Sequence, residues 1–128
     1  MKKKLPLISL LFFGVYLLGI AFVTACMPTT TVTYDLNMRP GQQYDFSIEL
    51  KEHDKLDISI SVQQYDIGIM VESPSGQVAL PYKRVETENF IIIAEEDGVY
   101  VVTLDNSYSI SNSKRLTLIL KYPQKFAI

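Results

Sequence analysis

After residue 26 apolar and polar residues alternate in short runs, with no helical period. Tyr44, Phe46, Ile48 and Leu50 are apolar, and Asp45, Ser47, Glu49 and Lys51 between them are polar. A period of two predicts a half-buried strand, because successive side chains of a strand point to opposite faces. The alternation resumes at Leu56, Ile58, Ile60 and Val62 after a turn at Glu52-His53-Asp54-Lys55. The two runs are expected to face one core from neighbouring positions. Ile67, Ile69 and Val71 predict a short strand, and Ser73-Pro74-Ser75-Gly76 a turn that closes a hairpin. Val78 to Leu80 reads as a weak return strand stopped by Pro81, and the charged stretch Tyr82 to Glu88 as a loop. Phe90 to Ala94 is continuously apolar, which fits a strand covered on both faces. Val99 to Asp105 and Leu116 to Tyr122 complete the set. The threonine-rich run from Thr29 adds a first strand near Val32 to Leu36. About eight short strands separated by turn signals predict an all-β, antiparallel, jelly-roll-like sandwich.

In the later strands the alternate positions are apolar too. If Phe90, Ile92, Tyr100, Val102, Leu104, Leu116, Leu118 and Leu120 face the core, then Ile91, Ile93, Val99, Val101 and Ile119 face outward. A contiguous exposed apolar patch marks an interaction surface. These five residues are the candidate surface, unless the N-terminal segment or the loop from Asn106 to Lys114 covers it.

The first 26 residues follow a different rule. Met1-Lys2-Lys3-Lys4 is basic, Leu5 to Val23 is almost wholly apolar, and Val23-Thr24-Ala25 leads to Cys26, the single cysteine. Basic, apolar and small segments in that order are a secretory signal. Val23-Thr24-Ala25-Cys26 resembles the lipobox of bacterial lipoproteins. That resemblance implies a signal peptide over 1–25, a diacylglyceryl group on the Cys26 sulfur and cleavage before it. The run of about 19 residues is also long enough to remain as an uncleaved membrane-spanning helix. Both readings place the remainder outside the cytoplasm on a cell membrane. A core helix is disfavoured because the run lacks a polar stripe.

Cleavage before Cys26 leaves 103 of the 128 residues, enough for one modest core. Three of the 12 basic residues are in the leader, so the remainder sets nine against 14 acidic ones. An acidic domain is not built to neutralise phosphates, which argues against nucleic acid. One cysteine makes no internal disulfide. His53 is the only histidine, sits between Glu52 and Asp54 in a turn, and has no G-x-S-x-G partner motif; no catalytic residue is assigned. Glu95-Glu96-Asp97 is a run on one tight turn rather than a converging ligand set, and no His or Cys metal spacing exists. Neither a metal nor a cofactor is expected.

Several spaced features agree with one family. Ala94-Glu95-Glu96-Asp97-Gly98-Val99-Tyr100 is followed by Asp105-Asn106-Ser107, then Ser113-Lys114 opening the last strand. Upstream, Asp66-Ile67-Gly68-Ile69 precedes Pro74-Ser75-Gly76. Over about residues 40 to 122 the pattern resembles the GOLD (Golgi dynamics, emp24-type) domain. The resemblance implies a β-sandwich with a protein- or lipid-interaction role. It does not carry over vesicle-cargo transport, because the anchor lies at the other end of this chain. The hairpin alone also resembles the pre-peptidase C-terminal domain. The resulting expectation is a leader over 1–25, a lipidated tether with a possible first strand over 26–39, and a GOLD-like domain over 40–128. Its expected role is that of a non-enzymatic protein- or lipid-interaction module of the cell envelope, with a protein as the expected partner and a pre-peptidase C-terminal-like accessory domain or a small envelope hydrolase as the alternative.

Overall fold

The computed structural model describes residues 28–124. Eight strands follow in order: β1 (Thr29–Met38), β2 (Gln43–Leu50), β3 (Lys55–Val62), β4 (Ile67–Glu72), β5 (Val78–Val85), β6 (Thr87–Ile93), β7 (Gly98–Asp105) and β8 (Lys114–Pro123). They form two four-stranded sheets, ordered β1-β8-β3-β6 and β2-β7-β4-β5, with every pairing antiparallel. The period-two pattern is the cause. Leu56, Ile58, Ile60 and Val62 of one sheet and Tyr100, Val102 and Leu104 of the other are buried, while their neighbours in sequence face out. Leu116, Leu118 and Leu120 bury the same inner face on β8, and burial of such side chains contributes about 1.5–3 kcal/mol each.

The structure corrects four expectations. The runs of β2 and β3 do face one core, but from opposite sheets, because the turn at Lys51–Asp54 carries the chain across the sandwich. The first strand is longer than Val32 to Leu36. It runs from Thr29 to Met38, each residue paired to β8, so the sandwich begins well before residue 40. Tyr82 to Glu88 is not a loop. β5 continues past Pro81 to Val85 and β6 begins at Thr87. Pro81 is tolerated because β5 is an edge strand and its register with β4 shifts there, between Ile69 and Val71. An edge strand with a solvated face needs no apolar alternation, so the charged sequence hid it. Finally, Phe90 to Ala94 is covered on one face only. Ile91 and Ile93 are 54% and 53% exposed, and no described segment covers them.

The loops sort to two ends. Thr29 pairs with Pro123, and the β2–β3, β4–β5 and β6–β7 turns gather at that end through Glu52 N–H to Asp97 and Ser75 N–H to Glu96. The other end holds the β1–β2 turn, the β3–β4 connection and the loop between β7 and β8. Ten residues of β1 separate the ends by about 30 Å. Residues 1–27, with the leader and Cys26, lie outside the described residues.

Candidate functional site

At the end away from Thr29, three side chains converge on Asp66. Tyr108 Oη lies 2.6 Å from the Asp66 carbonyl and 2.7 Å from its Oδ1, Arg84 Nη2 donates to Oδ1 at 3.1 Å, and Lys114 Nζ donates to the carbonyl at 2.9 Å. The Arg84 guanidinium stacks 3.8 Å over the Tyr108 ring, and Lys114 Nζ stands 5.2 Å from the rings of both Tyr65 and Tyr108. The Tyr108 hydroxyl, then Arg84 and Lys114, hold the Asp66 carboxyl below the usual carboxylate range against the opposing effect of burial. Burial first, then the hydrogen bond to Asp66 and after it the Asp66 charge, push the Tyr108 phenol up to about 12. Beside this cluster Asn106 is fully buried, and its Nδ2 donates to the carbonyls of Met38, Arg39 and Asn112.

Chemically, the cluster is a clamp. Its cations, its carboxylate and its phenol satisfy one another, and its phenol keeps its proton far above neutral pH. Asp66, Asn106 and Lys114 all belong to motifs legible in the sequence, but there they read as separate turns. Neither Arg84 nor Tyr108 was linked to Asp66, since no local signal connects residues 18 and 42 positions from it.

A different feature lies at the end near Thr29. β5 and β6 are edge strands of opposite sheets, joined at Glu86. A groove of about 320 Å³ lies between them, with Val78 and Ala79 on one wall, Ile91 and Ile93 on the other, and Ile92 and Tyr100 in its lining. Tyr100 is buried, accepts from the Glu95 and Glu96 N–H groups, and donates to the Glu96 carbonyl at 2.9 Å. It thereby fixes the turn at the mouth of the groove. Val78 is 56% exposed.

The five residues singled out for an outer apolar patch do not form one. Ile91 and Ile93 lie on β6 and Ile119 on β8 of the first sheet, and Val99 and Val101 on β7 of the second. The two sets lie on opposite outer faces. Within the first sheet, Ser59 of β3 lies between Ile119 and β6, and Thr33 of β1 flanks Ile119 on its other side. Ile91 and Ile93 alone join the groove, and Val78 was missed because its strand read as weak. His53 is on a turn at φ 75° with its side chain 85% exposed, 3.7 Å from Glu52. Glu96 and Asp97 serve as acceptors that hold neighbouring turns, and no group of three or more potential metal ligands occurs among the described residues.

The polar clusters of this antiparallel sandwich bond to its own loops. The emp24/gp25L/p24 family/GOLD model matches residues 33–126, and the chain belongs to that family. No curated protein sequence matches the chain. Among solved structures it is similar to PliG of Aeromonas hydrophila, a periplasmic inhibitor of g-type lysozyme. The TM-score is 0.52 at 9% identity, covering 75% of this chain and 87% of that one. It is also similar to a protein of Bacillus endospore appendages, described as disulfide-linked pili. There the TM-score is 0.43 at 8% identity, with 77% and 89% covered. The first likeness is one of fold.

Proposed function

We propose that this chain is a non-enzymatic interaction module of the cell envelope, held at a membrane through a lipid on Cys26 and facing outside the cytoplasm. The observation that carries the reading is the open groove between β5 and β6, lined by Val78, Ala79, Ile91 and Ile93 together with Ser73, Gln77, Glu95 and Glu96, while the polar cluster at the opposite end is consumed internally. Family membership supports binding rather than catalysis, and a periplasmic inhibitor with a similar sandwich agrees with an extracytoplasmic role. His53, exposed on a turn beside the likewise exposed Glu52, lends the hydrolase alternative little support.

The tether follows from the lipobox-like Val23-Thr24-Ala25-Cys26. Cys26 precedes Thr29 by three residues, so a lipid there would lie within about 10 Å of the start of the sandwich. Two acyl chains would hold the protein stably without a polybasic helper. The groove would then face the membrane side, and the Asp66 clamp would stand about 30 Å beyond it.

Two measurements test the reading. Capture of partners by the acylated protein from cross-linked envelopes should recover a reproducible protein or lipid partner; recovering none overturns the module. Mass spectrometry of the mature N-terminus should find an acylated Cys26. With Cys26→Ser the precursor should stay membrane-bound and uncleaved. A soluble form of full mature length would show that Cys26 is not the anchor.

A further inference from the structure

The four edges of the sandwich are not alike. β1 turns Thr31, Thr33 and Asp35 outward and β2 turns Asp45, Ser47 and Glu49 outward. β5 carries Pro81 at a register shift, followed by Lys83 and Arg84. Charges, proline and bulges are the devices that keep edge strands from pairing with other chains. From Phe90 to Ala94, β6 has none of them. It pairs only with β3, its outer backbone edge faces no described strand, and Ile91 and Ile93 are half-exposed beside it.

We propose that this edge receives an extended segment of a partner protein, paired strand to strand with β6, apolar at alternate positions and carrying a basic residue toward Glu95. The inference rests on the interaction-module reading and names its surface. Main-chain hydrogen bonds along the edge supply affinity, and alternate side chains supply specificity. One set of partner side chains extends the outer face beside Ile91 and Ile93. The other set drops into the groove of about 320 Å³ against Val78 and Tyr100. Glu95 lies at the groove and makes no ion pair among the described residues, whereas Glu88 at the other end is held by Lys83 at 3.1 Å. A basic residue is therefore wanted at the Glu95 end.

A second copy of this chain fits less well. The antiparallel register that sets Ile91 against Ile93 of a second copy brings Asn89, not a basic residue, opposite Glu95 and leaves that carboxylate without a counter-charge.

The test uses the full chain in detergent micelles and a fluorescein-labelled synthetic peptide, Lys-Val-Thr-Val-Thr-Val-Lys. Binding is read by anisotropy, and the site by amide exchange. The peptide should bind and protect amides of β6. Ile91→Lys with Ile93→Lys should weaken binding at least tenfold without changing the thermal melt, since both side chains are half-exposed. Aspartate in place of the peptide lysines should weaken it as well. The proposal is overturned by no binding, by equal binding to the double variant, by equal binding of the aspartate peptide, or by protection at β1 or β2 instead. Sedimentation showing a dimer that the double variant abolishes would assign the edge to a second copy and overturn it too. An envelope partner captured equally by wild type and double variant would sink this inference while leaving the interaction module standing.

Discussion

Lys114 is 3% exposed, and its Nζ donates to the main-chain carbonyl of Asp66 at 2.9 Å while standing 3.8 Å from the Asp66 carboxylate. The contact joins the start of β8 to the entry of β4, across 48 residues and between the two sheets. A buried ammonium is costly to desolvate, and here the carbonyl, the carboxylate and the faces of Tyr65 and Tyr108 replace its water. Lys114→Met keeps most of the side chain's bulk and removes only the charge and its hydrogen bond. The expected loss is about 1–2 kcal/mol, because the Asp66 carboxylate remains partly solvated and keeps Arg84 and Tyr108. Urea denaturation reads it; an unchanged midpoint would show that the clamp contributes nothing net.

The clamp also gives stability two pH limits. The folded pKa of Asp66 lies below the ordinary carboxylate value of 3.8, chiefly through the Tyr108 hydroxyl. Its contribution is therefore present above about pH 3.8 and is lost as pH falls through the folded value. Tyr108 is shifted the other way, from 10.0 to about 12. Its contribution is present below pH 10 and is lost as pH rises towards 12. Urea midpoints against pH should fall on both flanks. Asp66→Asn should flatten the acid flank, and it should move Tyr108 ionisation, followed by tyrosinate absorbance, to lower pH.

Asn106 is the second fastening of the same end. Its side-chain amide donates to three carbonyls at 3.0–3.2 Å, two of them at the end of β1 and the start of the turn that follows. Its Oδ1 is buried and accepts no bond among the described residues, so the donors carry the effect. Asn106→Ala should cost about 2–4 kcal/mol by stranding those carbonyls. Asn106→Asp, nearly the same shape, should cost more, since it turns carboxylate oxygens toward carbonyls. An Asp variant as stable as wild type would show that shape rather than hydrogen bonding holds the turn.

The sandwich was legible because its long strands obey a period of two, and because the turns at Pro40-Gly41 and Glu95 to Gly98 are marked by glycines at φ 84° and 137°. β5 was not legible. Its exposed edge position permits Pro81, Lys83 and Arg84, none of which reads as strand. The Asp66 clamp was half legible: turn chemistry marked Asp66 and Lys114, yet pairing between residues 48 apart is a property of the assembled sheets. The groove was least legible, since it depends on how two edge strands sit in different sheets. Ile91 and Ile93 were singled out for the outer face of one sheet, but Val78 lies on the other.

The last prediction concerns Gly68 and Tyr82. Gly68 of β4 pairs with Arg84 of β5 and Asp105 of β7, and the Tyr82 ring lies across it. Tyr82 reaches over this gap to donate from Oη to Asp105 Oδ2 at 3.0 Å. A Cβ on Gly68 would stand about 2.6 Å from two atoms of the Tyr82 ring, too close for any real contact. The backbone there has ordinary φ, so the glycine is required by the ring above it and not by strain. Gly68→Ala must therefore push Tyr82 aside and break its bond to Asp105, costing about 1–3 kcal/mol. In a Tyr82→Ala background the same change should cost almost nothing, and should even help, because alanine suits a strand better than glycine. The two changes should thus be non-additive by about 1 kcal/mol or more in a double-mutant cycle followed by urea denaturation. Additive effects would mean that Gly68 is needed for some reason other than the ring that covers it.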